Sequence, residues 1–299
     1  MKSRVANLIV AGVSKCGSTS LFSYLASHPD VCGSSVKETQ FFMPLKFGKE
    51  LLPISEYENY FSKCANEKFR LDATPYYLFG RKKIAEAIRE VSPDAKIIFI
   101  FREPAARSFS WYQHAQYHLM APAETSFLDF IHEGEKRIRE NENSWDNYTR
   151  SLQEGFYFES LQDWFNIFTN ENIKIVFFEN LKNNPRNVLH EICEWLNIDS
   201  ALIPDSVLVP ENTRGNYRFR WFRNLFLWAR KNQKKLFLTS KPLNRFLKKV
   251  EQRLNKTSRK ESMSDDDKKY LQNIFKTHNE SLKKLLIEKG YSEFPDWLK

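Results

Sequence analysis

The chain has 299 residues, of which 41% are hydrophobic, 15% aromatic and 28% charged, and these globular proportions exclude collagen-like, mucin-like and wholly disordered proteins. The net charge of +9 is unevenly distributed, because residues 214–260 contain sixteen Lys or Arg and one acid, while the rest of the chain is net acidic. A basic segment of this kind predicts an anionic partner, and nucleic acid, an acidic membrane surface, a polyanionic sugar and a phosphorylated cofactor all meet that description.

The first half of the chain alternates short apolar runs with helical patterns. Helices are predicted at Ser18–Ser27, at about Arg81–Val91 and at Phe156–Phe168. Strands are predicted at Asn7–Ala11, Phe69–Ala73, Lys96–Phe101 and Ile173–Phe178. Strands that alternate with helices in this way are typical of a parallel sheet with crossover helices.

The second half of the chain is predicted to be mainly helical. A helix is expected over Asn187–Leu196, a loop over Pro204–Pro210, and basic, aromatic helical sequence from Arg214 onward. Ser264–Ile287 is the last predicted helix, with Ser264 as an N-cap and three aspartates over the positive end of the helix dipole. We expect one domain over residues 1–299, with an α/β core at 1–210 and a basic, mainly helical cover at 211–299.

A glycine-containing loop joins the first strand to the first helix. Gly12 and Gly17 have the G-x-x-x-x-G spacing of a phosphate-binding loop, which turns backbone N–H groups toward an anion at a helix N-terminus. Ser18 stands where a nucleotide triphosphatase needs lysine, and the lysine of this loop is Lys15 instead. The alternative interpretation is a strand-to-helix turn without a ligand. The predicted fold class is α/β, a P-loop-like three-layer fold with a central parallel sheet flanked by helices and a C-terminal helical region.

A second anion site is predicted after the Lys96–Phe101 strand. Arg102 follows the carboxyl end of that strand, the edge at which α/β sheets bind ligands, and Ser110 lies about two turns into the next helix. An arginine and a hydroxyl so placed can hold one further phosphate group. The alternative is a surface arginine and an ordinary helix serine. Arg107, between them, is expected to be structural.

A charged pair, Lys37 and Glu38, precedes the aromatic doublet Phe41–Phe42. The doublet is expected to dock this loop on the core, which would leave Glu38 near the pocket as a candidate general base. The alternative is a solvated Lys–Glu pair.

Residues 217–236 interleave aromatic side chains with Arg and Lys. This basic amphipathic segment has three interpretations: it covers the core, it lies beside a cleft for an acidic glycan, or it lies on a membrane surface. Nucleic-acid binding fits the charge as well, but no recognised nucleic-acid motif accompanies it.

The N-terminal sequence MKSRVANLIVAGVSKCGS has one or two basic residues followed by only a short apolar run. That run has about six residues, fewer than the core of a signal peptide or a membrane span requires. We therefore expect a cytoplasmic protein, either soluble or peripheral on a membrane surface. The four cysteines, Cys16, Cys32, Cys64 and Cys193, show neither a C-x-x-C pair nor zinc-finger spacing, and we expect all four to be reduced thiols.

Taken together, several segments resemble the sulfotransferases that use 3′-phosphoadenosine 5′-phosphosulfate (PAPS). The resemblance is closest to the carbohydrate-directed branch and covers nearly the whole chain. It is carried by AGVSKCGSTSLFSYLASHPDV, KETQFF, DATPYYL, FREPAARSFSWYQH and FKTHNESLKKLL, which occur in the family's order.

The resemblance implies PAPS as donor, 3′-phosphoadenosine 5′-phosphate (PAP) as product, and no metal ion. Arg102 and Ser110 match the pair that holds the 3′-phosphate. Arg218, in the stretch NTRGNYR, matches a late loop that closes over the nucleotide. Lys15 matches the lysine at the leaving phosphate oxygens, within a 5′-phosphosulfate loop formed by Ser14, Lys15, Cys16, Gly17, Ser18, Thr19 and Ser20.

For catalysis, the resemblance implies in-line transfer of the sulfuryl group to a hydroxyl or amine of a carbohydrate-type acceptor. Glu38 matches the catalytic base, Lys15 stabilises the leaving group, and His114 matches an active-site histidine that is the alternative base. Ala73 departs from the pattern, because some members carry a substrate-contacting lysine there. Two rival functions remain at this stage: a P-loop nucleotide kinase, and a basic membrane- or nucleic-acid-binding module around residues 214–260.

Overall fold

The computed structural model describes residues 4–118, 120–122, 124–209, 216–217, 256–257 and 262–299. A parallel sheet forms its centre. The five strands of this sheet are β1 Leu8–Gly12, β2 Val31–Gly33, β3 Phe69–Asp72, β4 Lys96–Phe101 and β5 Ile173–Phe177. They are arranged in the order β2-β3-β1-β4-β5, and every neighbouring pair is parallel.

Helices connect and flank these strands in the described residues. Short 3₁₀ helices lie at Met43–Phe47, Tyr77–Gly80, Asn170–Asn172, Ser200–Leu202, Asp205–Val207 and Asp296–Leu298. The α-helices are α1 Ser18–Leu25, α2 Ile54–Asn59, α3 Arg81–Val91, α4 Pro104–Tyr117, α5 Phe127–Glu140, α6 Thr149–Gln153, α7 Phe158–Phe165, α8 Phe178–Asn183, α9 Pro185–Leu196 and α10 Asp265–Glu288.

The central strands are apolar along their whole length because both faces of the sheet are covered. All five residues of β1 are buried, and in β4 only Lys96 is partly exposed. A continuous apolar run is what a parallel strand between two helical layers requires. Phe99 packs edge-on against Trp164, and Phe101 stacks on Tyr157, with ring centroids 5.2 and 4.6 Å apart.

The strand order places the connections after β1 and β4 next to each other. From β1 the chain moves through β2 to β3 on one side, and it then crosses to β4 on the other side of β1. In open α/β sheets, ligands bind outside the carboxyl ends of the strands at such a reversal. The loop after β1 and the segment after β4 therefore border the same crevice.

A second apolar cluster fixes helix α4. Trp111 and Tyr112 of α4 pack with Phe130 of α5, Leu152 of α6 and Phe275 of α10, and all five side chains are buried. The cluster holds α4 between other helices, so the face of α4 that borders the crevice has a fixed orientation.

The predicted fold class is confirmed, and most predicted elements are present with shifts of one to three residues at their ends. Lys96–Phe101 and Arg81–Val91 are observed with the predicted bounds. Ser264 caps the last helix, because its hydroxyl accepts a hydrogen bond of 3.1 Å from the Asp267 N–H. The prediction missed β2 and the helices α2, α5, α6 and α8, and the loop expected at Pro204–Pro210 contains a 3₁₀ turn at Asp205–Val207.

The expectation of four reduced thiols is wrong. Cys32 and Cys64 form a disulfide, whereas Cys16 and Cys193 are buried free thiols. The two bridged residues are 32 positions apart in the sequence, but the fold brings their Cα atoms to 5.7 Å, within the usual range for a disulfide. Spacing along the chain could not predict this pair, because tertiary packing creates its proximity.

The predicted C-terminal cover is partly described. Helix α10 packs against α4 and α7. Residues 216–217 and 256–257 form a two-residue antiparallel ribbon, β6 Asn216–Tyr217 with β7 Lys256–Thr257. Arg218 and the rest of the basic segment 214–260 lie outside the described residues. Within the part of the chain that the structure describes, no helix is both long enough and apolar enough to cross a membrane.

Candidate active site

A cavity of about 470 Å³ opens at the carboxyl ends of β1 and β4. This volume lies in the range of about 300–1,000 Å³ that is usual for small-molecule sites. Most of the residues that the sequence analysis selected line this cavity: Ser14, Lys15, Gly17, Ser18, Thr19, Ser20, Glu38, Arg102, Ser110 and His114.

The loop after β1 has a backbone shape suited to an anion. Gly17 is the N-cap of α1, with a φ of 91° in the left-handed region. A Cβ at this position would lie 3.1 Å from the Phe178 ring, so both the conformation and the close packing favour glycine. The first turn of α1 contains no acidic residue. The positive end of the α1 dipole therefore faces the cavity unopposed within that turn.

Two residues of this loop have buried side chains. The Ser14 hydroxyl is buried and donates a hydrogen bond to the carboxylate of Glu154. Cys16 is not among the residues that line the cavity, and burial raises the pKa of its thiol to about 12. Both remain predicted donor-binding residues only through their backbone N–H groups.

Arg102 lies directly against the loop after β1. Its Nη1 donates a hydrogen bond of 3.1 Å to the backbone oxygen of Lys15, and its guanidinium stacks 4.6 Å from the centroid of the Phe178 ring. The backbone oxygen of Arg102 accepts a hydrogen bond of 3.0 Å from the Tyr157 hydroxyl. Ser110 lies six residues after the start of α4, about 9 Å along the helix axis. The two predicted anion sites therefore share one cavity and one side of the sheet.

The Glu38 segment is docked on the core as predicted. Phe41 and Phe42 are buried, and both pack against the ring of Tyr57 with centroids about 5 Å away. Glu38 lines the cavity and also pairs with Lys37, with 2.8 Å between Nζ and Oε1. The structure thus combines the two interpretations of this charged pair, because the carboxylate is both ion-paired and at the cavity wall.

A buried carboxylate fixes the backbone next to Glu38. Asp72, at the end of β3, is fully buried, and burial raises the pKa of its carboxyl group. Its oxygens accept hydrogen bonds of 2.7 to 3.1 Å from four hydroxyl groups, those of Thr39, Tyr57, Thr74 and Tyr77. Thr39 directly follows Glu38, so this cluster anchors the segment that carries the candidate base.

His114 lies one helical turn after Ser110 on α4 and also lines the cavity. Its ring is 5.2 Å from the ring of Trp111 and 4.4 Å from the ring of His118, measured between centroids. The predicted base and the alternative base therefore border the same cavity.

Several further residues of the cavity wall were not predicted from the sequence. Tyr76 and Trp111 occur in the segments DATPYYL and FREPAARSFSWYQH, so those motifs contained the signal that identifies them. Phe178 was predicted as the end of a strand, and Lys182 had no signal in the sequence. Within the described ranges, no group of three or more His, Cys, Asp or Glu side chains is placed to hold a metal ion.

Relatives of similar sequence and a protein of similar structure are all named as sulfotransferases. The chain is 26% identical over 314 aligned residues to bifunctional heparan sulfate N-deacetylase/N-sulfotransferase 1 of Xenopus tropicalis. The alignment covers 99% of this chain but only 31% of that relative. The corresponding Drosophila melanogaster enzyme is 25% identical, over 97% of this chain and 27% of the relative. The chain thus spans about a third of the length of these relatives.

A solved structure supports the fold assignment. The crystal structure of a sulfotransferase from Alicyclobacillus acidocaldarius superimposes with a TM-score of 0.70 at 20% sequence identity, and covers 98% of this chain and 99% of its own. A model of the sulfotransferase domain family matches residues 6–285. The chain therefore belongs to the sulfotransferase domain family, as its sequence motifs predicted.

Proposed function

We propose that this sulfotransferase moves the sulfuryl group of PAPS to a hydroxyl or amine of a carbohydrate-type acceptor. The observation that carries the proposal is the contact between Arg102 and Lys15, which joins two cationic sites in one cavity. A donor with phosphates at both its 3′ and 5′ positions needs two such sites. Membership of the sulfotransferase family argues against the nucleotide kinase and against a protein that only binds membranes or nucleic acid.

The proposed donor site has one end at the loop after β1 and the other at α4. The 5′-phosphosulfate would lie against the first turn of α1, where backbone N–H groups, the helix dipole and Lys15 offer positive potential. The 3′-phosphate would bind Arg102 and Ser110. The proposed contact of Arg218 with the nucleotide, and that of residues 214–260 with a membrane surface, fall outside the described residues.

In the proposed reaction, the acceptor oxygen or nitrogen attacks sulfur in line with the bond to the 5′-phosphate. A bond forms between the acceptor and sulfur while the bond from sulfur to the phosphate oxygen breaks, and PAP leaves. Glu38 accepts the proton that the acceptor loses. The negative charge that develops on the leaving oxygen is stabilised by Lys15 and by the N–H groups of the loop.

A carbohydrate acceptor is supported by the chemistry of the wall next to Glu38. Pro75, Tyr76 and Trp111 line the cavity together with Glu38 and His114. Apolar faces with a few fixed polar groups are typical of small-molecule sites. The relatives act, by their names, on heparan sulfate, which also supports a glycan as the acceptor.

Cytoplasmic location stays a prediction. The Cys32–Cys64 disulfide is more typical of proteins in oxidising compartments.

The proposal is tested by transfer of labelled sulfate from PAPS to a panel of glycans and glycolipids. With the best acceptor, Glu38→Gln should lower turnover by about 10²–10⁴-fold, because the base is lost, while PAP binding is unchanged. Glu50→Gln, an exposed carboxylate on the same stretch of chain, is the control and should keep full activity.

Two results would count against this assignment. A Glu38→Gln enzyme with normal turnover would move the base elsewhere, and His114→Ala would then be the next variant to measure. A protein that neither binds PAP nor transfers sulfate to any member of the panel would refute the proposed function.

A further inference from the structure

A buried carboxylate that plays no part in the proposed chemistry joins three walls of the cavity. Glu154 immediately follows α6 and is fully buried. Its Oε1 accepts a hydrogen bond of 2.6 Å from Arg150 Nε. Its Oε2 accepts hydrogen bonds from Ser14 Oγ and, at 3.3 Å, from Arg107 Nη1. Both carboxylate oxygens are therefore occupied by groups that belong to different parts of the chain.

Two of these partners, Ser14 and Arg107, reach the proposed donor site. Ser14 belongs to the loop after β1, directly before Lys15. Arg107 lies in α4, three residues before Ser110, and is itself fully buried. Its Nη2 also donates to the backbone oxygens of Arg150 and Ser151, which ties α4 to α6. Through Glu154, the loop at the 5′ end and the helix at the 3′ end are fixed relative to each other.

The remaining partner, Arg150, reaches the aromatic wall of the cavity. The Arg150 guanidinium stacks 4.5 Å from the centroid of the Tyr76 ring and 4.1 Å from that of Trp111, and both rings line the cavity. Truncating or neutralising the carboxylate would therefore remove support from this aromatic wall as well as from the loop.

We propose that Glu154 is a positioning residue for sulfuryl transfer. It acts through Ser14 to hold the loop after β1 in a fixed position relative to α4. This inference rests on the proposed function. Catalytic geometry is sensitive to such support, because a misplacement of about 1 Å can cost about 10²-fold in rate.

Positioning explains the buried ion cluster better than stability does. One buried guanidinium and one partly exposed guanidinium flank a single buried carboxylate, so these three side chains together carry a net positive charge. Buried ion pairs are weak contributors to stability, since desolvation offsets their attraction, and apolar replacements are often neutral or stabilising. A cluster whose members each reach a different wall of the cavity is, by contrast, suited to fixing those walls. Its excess positive charge also lies beneath the loop that would receive the 5′-phosphosulfate.

The test compares Ser14→Ala, Glu154→Gln and the double variant, by PAP affinity from calorimetry and by kcat and KM for PAPS. Ser14→Ala removes one hydroxyl and keeps both ion pairs of Glu154, so it probes the link to the loop even if Glu154→Gln folds poorly. We expect each single variant to weaken PAP binding and to lower kcat/KM for PAPS, by up to about 10²-fold. The double variant should be no worse than Glu154→Gln alone, because both changes break the same link.

The control is Asp146→Asn, which removes a carboxylate that pairs with Arg137 at 2.9 Å and also accepts hydrogen bonds at the start of α6. It should lower thermal stability while PAP affinity and kcat/KM stay at their wild-type values. This control separates a loss of positioning from a general loss of stability in the α6 region.

The inference is overturned if Ser14→Ala binds PAP and turns over like the wild type, or if the two single effects multiply in the double variant. In the second case, Ser14 would act on the donor independently of Glu154. Equal kinetic losses in Asp146→Asn would likewise reduce Glu154 to a structural role. A wild-type protein that does not bind PAP would instead refute the proposed function, so the two failures are distinguishable.

Discussion

Lys15 and Glu38, the two residues with the central proposed roles in catalysis, both have backbone conformations that are uncommon for their type. Their φ angles are 67° and 66°, in the left-handed region that side chains other than glycine, Asn and Asp seldom adopt. Such conformations cost about 1–3 kcal/mol and persist only where the surrounding structure imposes them. Here Gly17 and the hydrogen bonds of Asp72 lie next to these positions. The reactive side chains are thus directed by tertiary contacts rather than by local propensity.

Residue identity could be predicted from the sequence where a motif contained it, and side-chain direction could not. Lys15, Arg102 and Ser110 occupy motif positions, and each lines the cavity. Cys16 occupies a motif position too, but its thiol is buried, because only the backbone of a tight loop has to face the ligand. Glu154 had no signal, since an Arg150–Glu154 spacing of four is typical of an exposed helical ion pair.

Lys46 provides a prediction about pH. Burial lowers its pKa from 10.5 to about 8; its Nζ donates to the Phe79 backbone oxygen at 2.9 Å and lies 3.9 Å from the centroid of the Trp145 ring. Between these two pKa values the unfolded chain binds more protons at this lysine than the folded chain. Stability from this group therefore rises as pH increases through that window.

We expect the wild type to gain stability relative to Lys46→Met between about pH 8 and pH 10, measured by urea denaturation at several pH values. Lys49→Met, which removes an exposed lysine from the same segment, controls for the change in net charge. A constant difference between wild type and Lys46→Met across this window would contradict the burial effect.

At the scale of elements, four of the five strands were predicted, three of them from strong apolar runs and β3 from a weaker pattern. β1, β4 and β5 lie next to one another in the sheet, where both faces are covered. Their sequences are the nearly continuous apolar runs that such strands require. β2 has three residues at the sheet edge, too few to form a pattern. Helix α5 was missed although its N-cap Ser126 is followed by an amphipathic stretch. The crevice could be predicted because its two borders follow the strongest strands.

The disulfide constrains the segment between β2 and the turn after α2. It closes a loop of 32 residues that includes Glu38 and the buried Phe41–Phe42 pair. In the chain-entropy model, a bridge over a loop of this length stabilises a fold by about 3–4 kcal/mol. The segment that presents the candidate base should therefore be the part most affected by reduction.

Cys32→Ser should accordingly lower the free energy of unfolding by about 3–4 kcal/mol, measured by chemical denaturation without reductant. Thiol titration of the denatured wild type should find only Cys16 and Cys193 reactive until a reductant is added. In the Cys32→Ser/Cys64→Ser variant a reductant should change stability no further. Reactivity of all four thiols in the untreated protein would show that the bridge is absent.

At the scale of the molecule, the charge that matters for the proposed donor is local rather than global. Without residues 214–260 the chain is net acidic, yet the described cavity is lined by Lys15, Arg102 and Lys182, with Arg107 buried and Arg150 partly buried behind it. Net charge could not have located this site, whereas two motifs on neighbouring strands could. The acceptor is a different case, because surface loops that vary among relatives usually build such pockets.

A ligand that touches the ends of both β1 and β4 should stabilise the whole sheet, because it binds only when both strands are in place. At a concentration of about 100 times its Kd, such a ligand adds about 2.7 kcal/mol to the free energy of unfolding. We therefore expect PAP to raise the melting temperature of the wild type well above the effect of ATP with Mg²⁺ or of duplex DNA. Arg102→Ala should lose most of the PAP effect.

Arg89→Ala is the matched control for that measurement, because Arg89 is exposed on α3 and donates to the Ile167 backbone oxygen, outside the cavity. It should retain the full PAP effect. A larger shift with ATP and Mg²⁺ would favour the nucleotide kinase, and a larger shift with DNA would favour binding through the basic segment. An equal PAP effect in Arg102→Ala and Arg89→Ala would mean that the nucleotide does not bridge the two strands, and the donor site proposed here would be wrong.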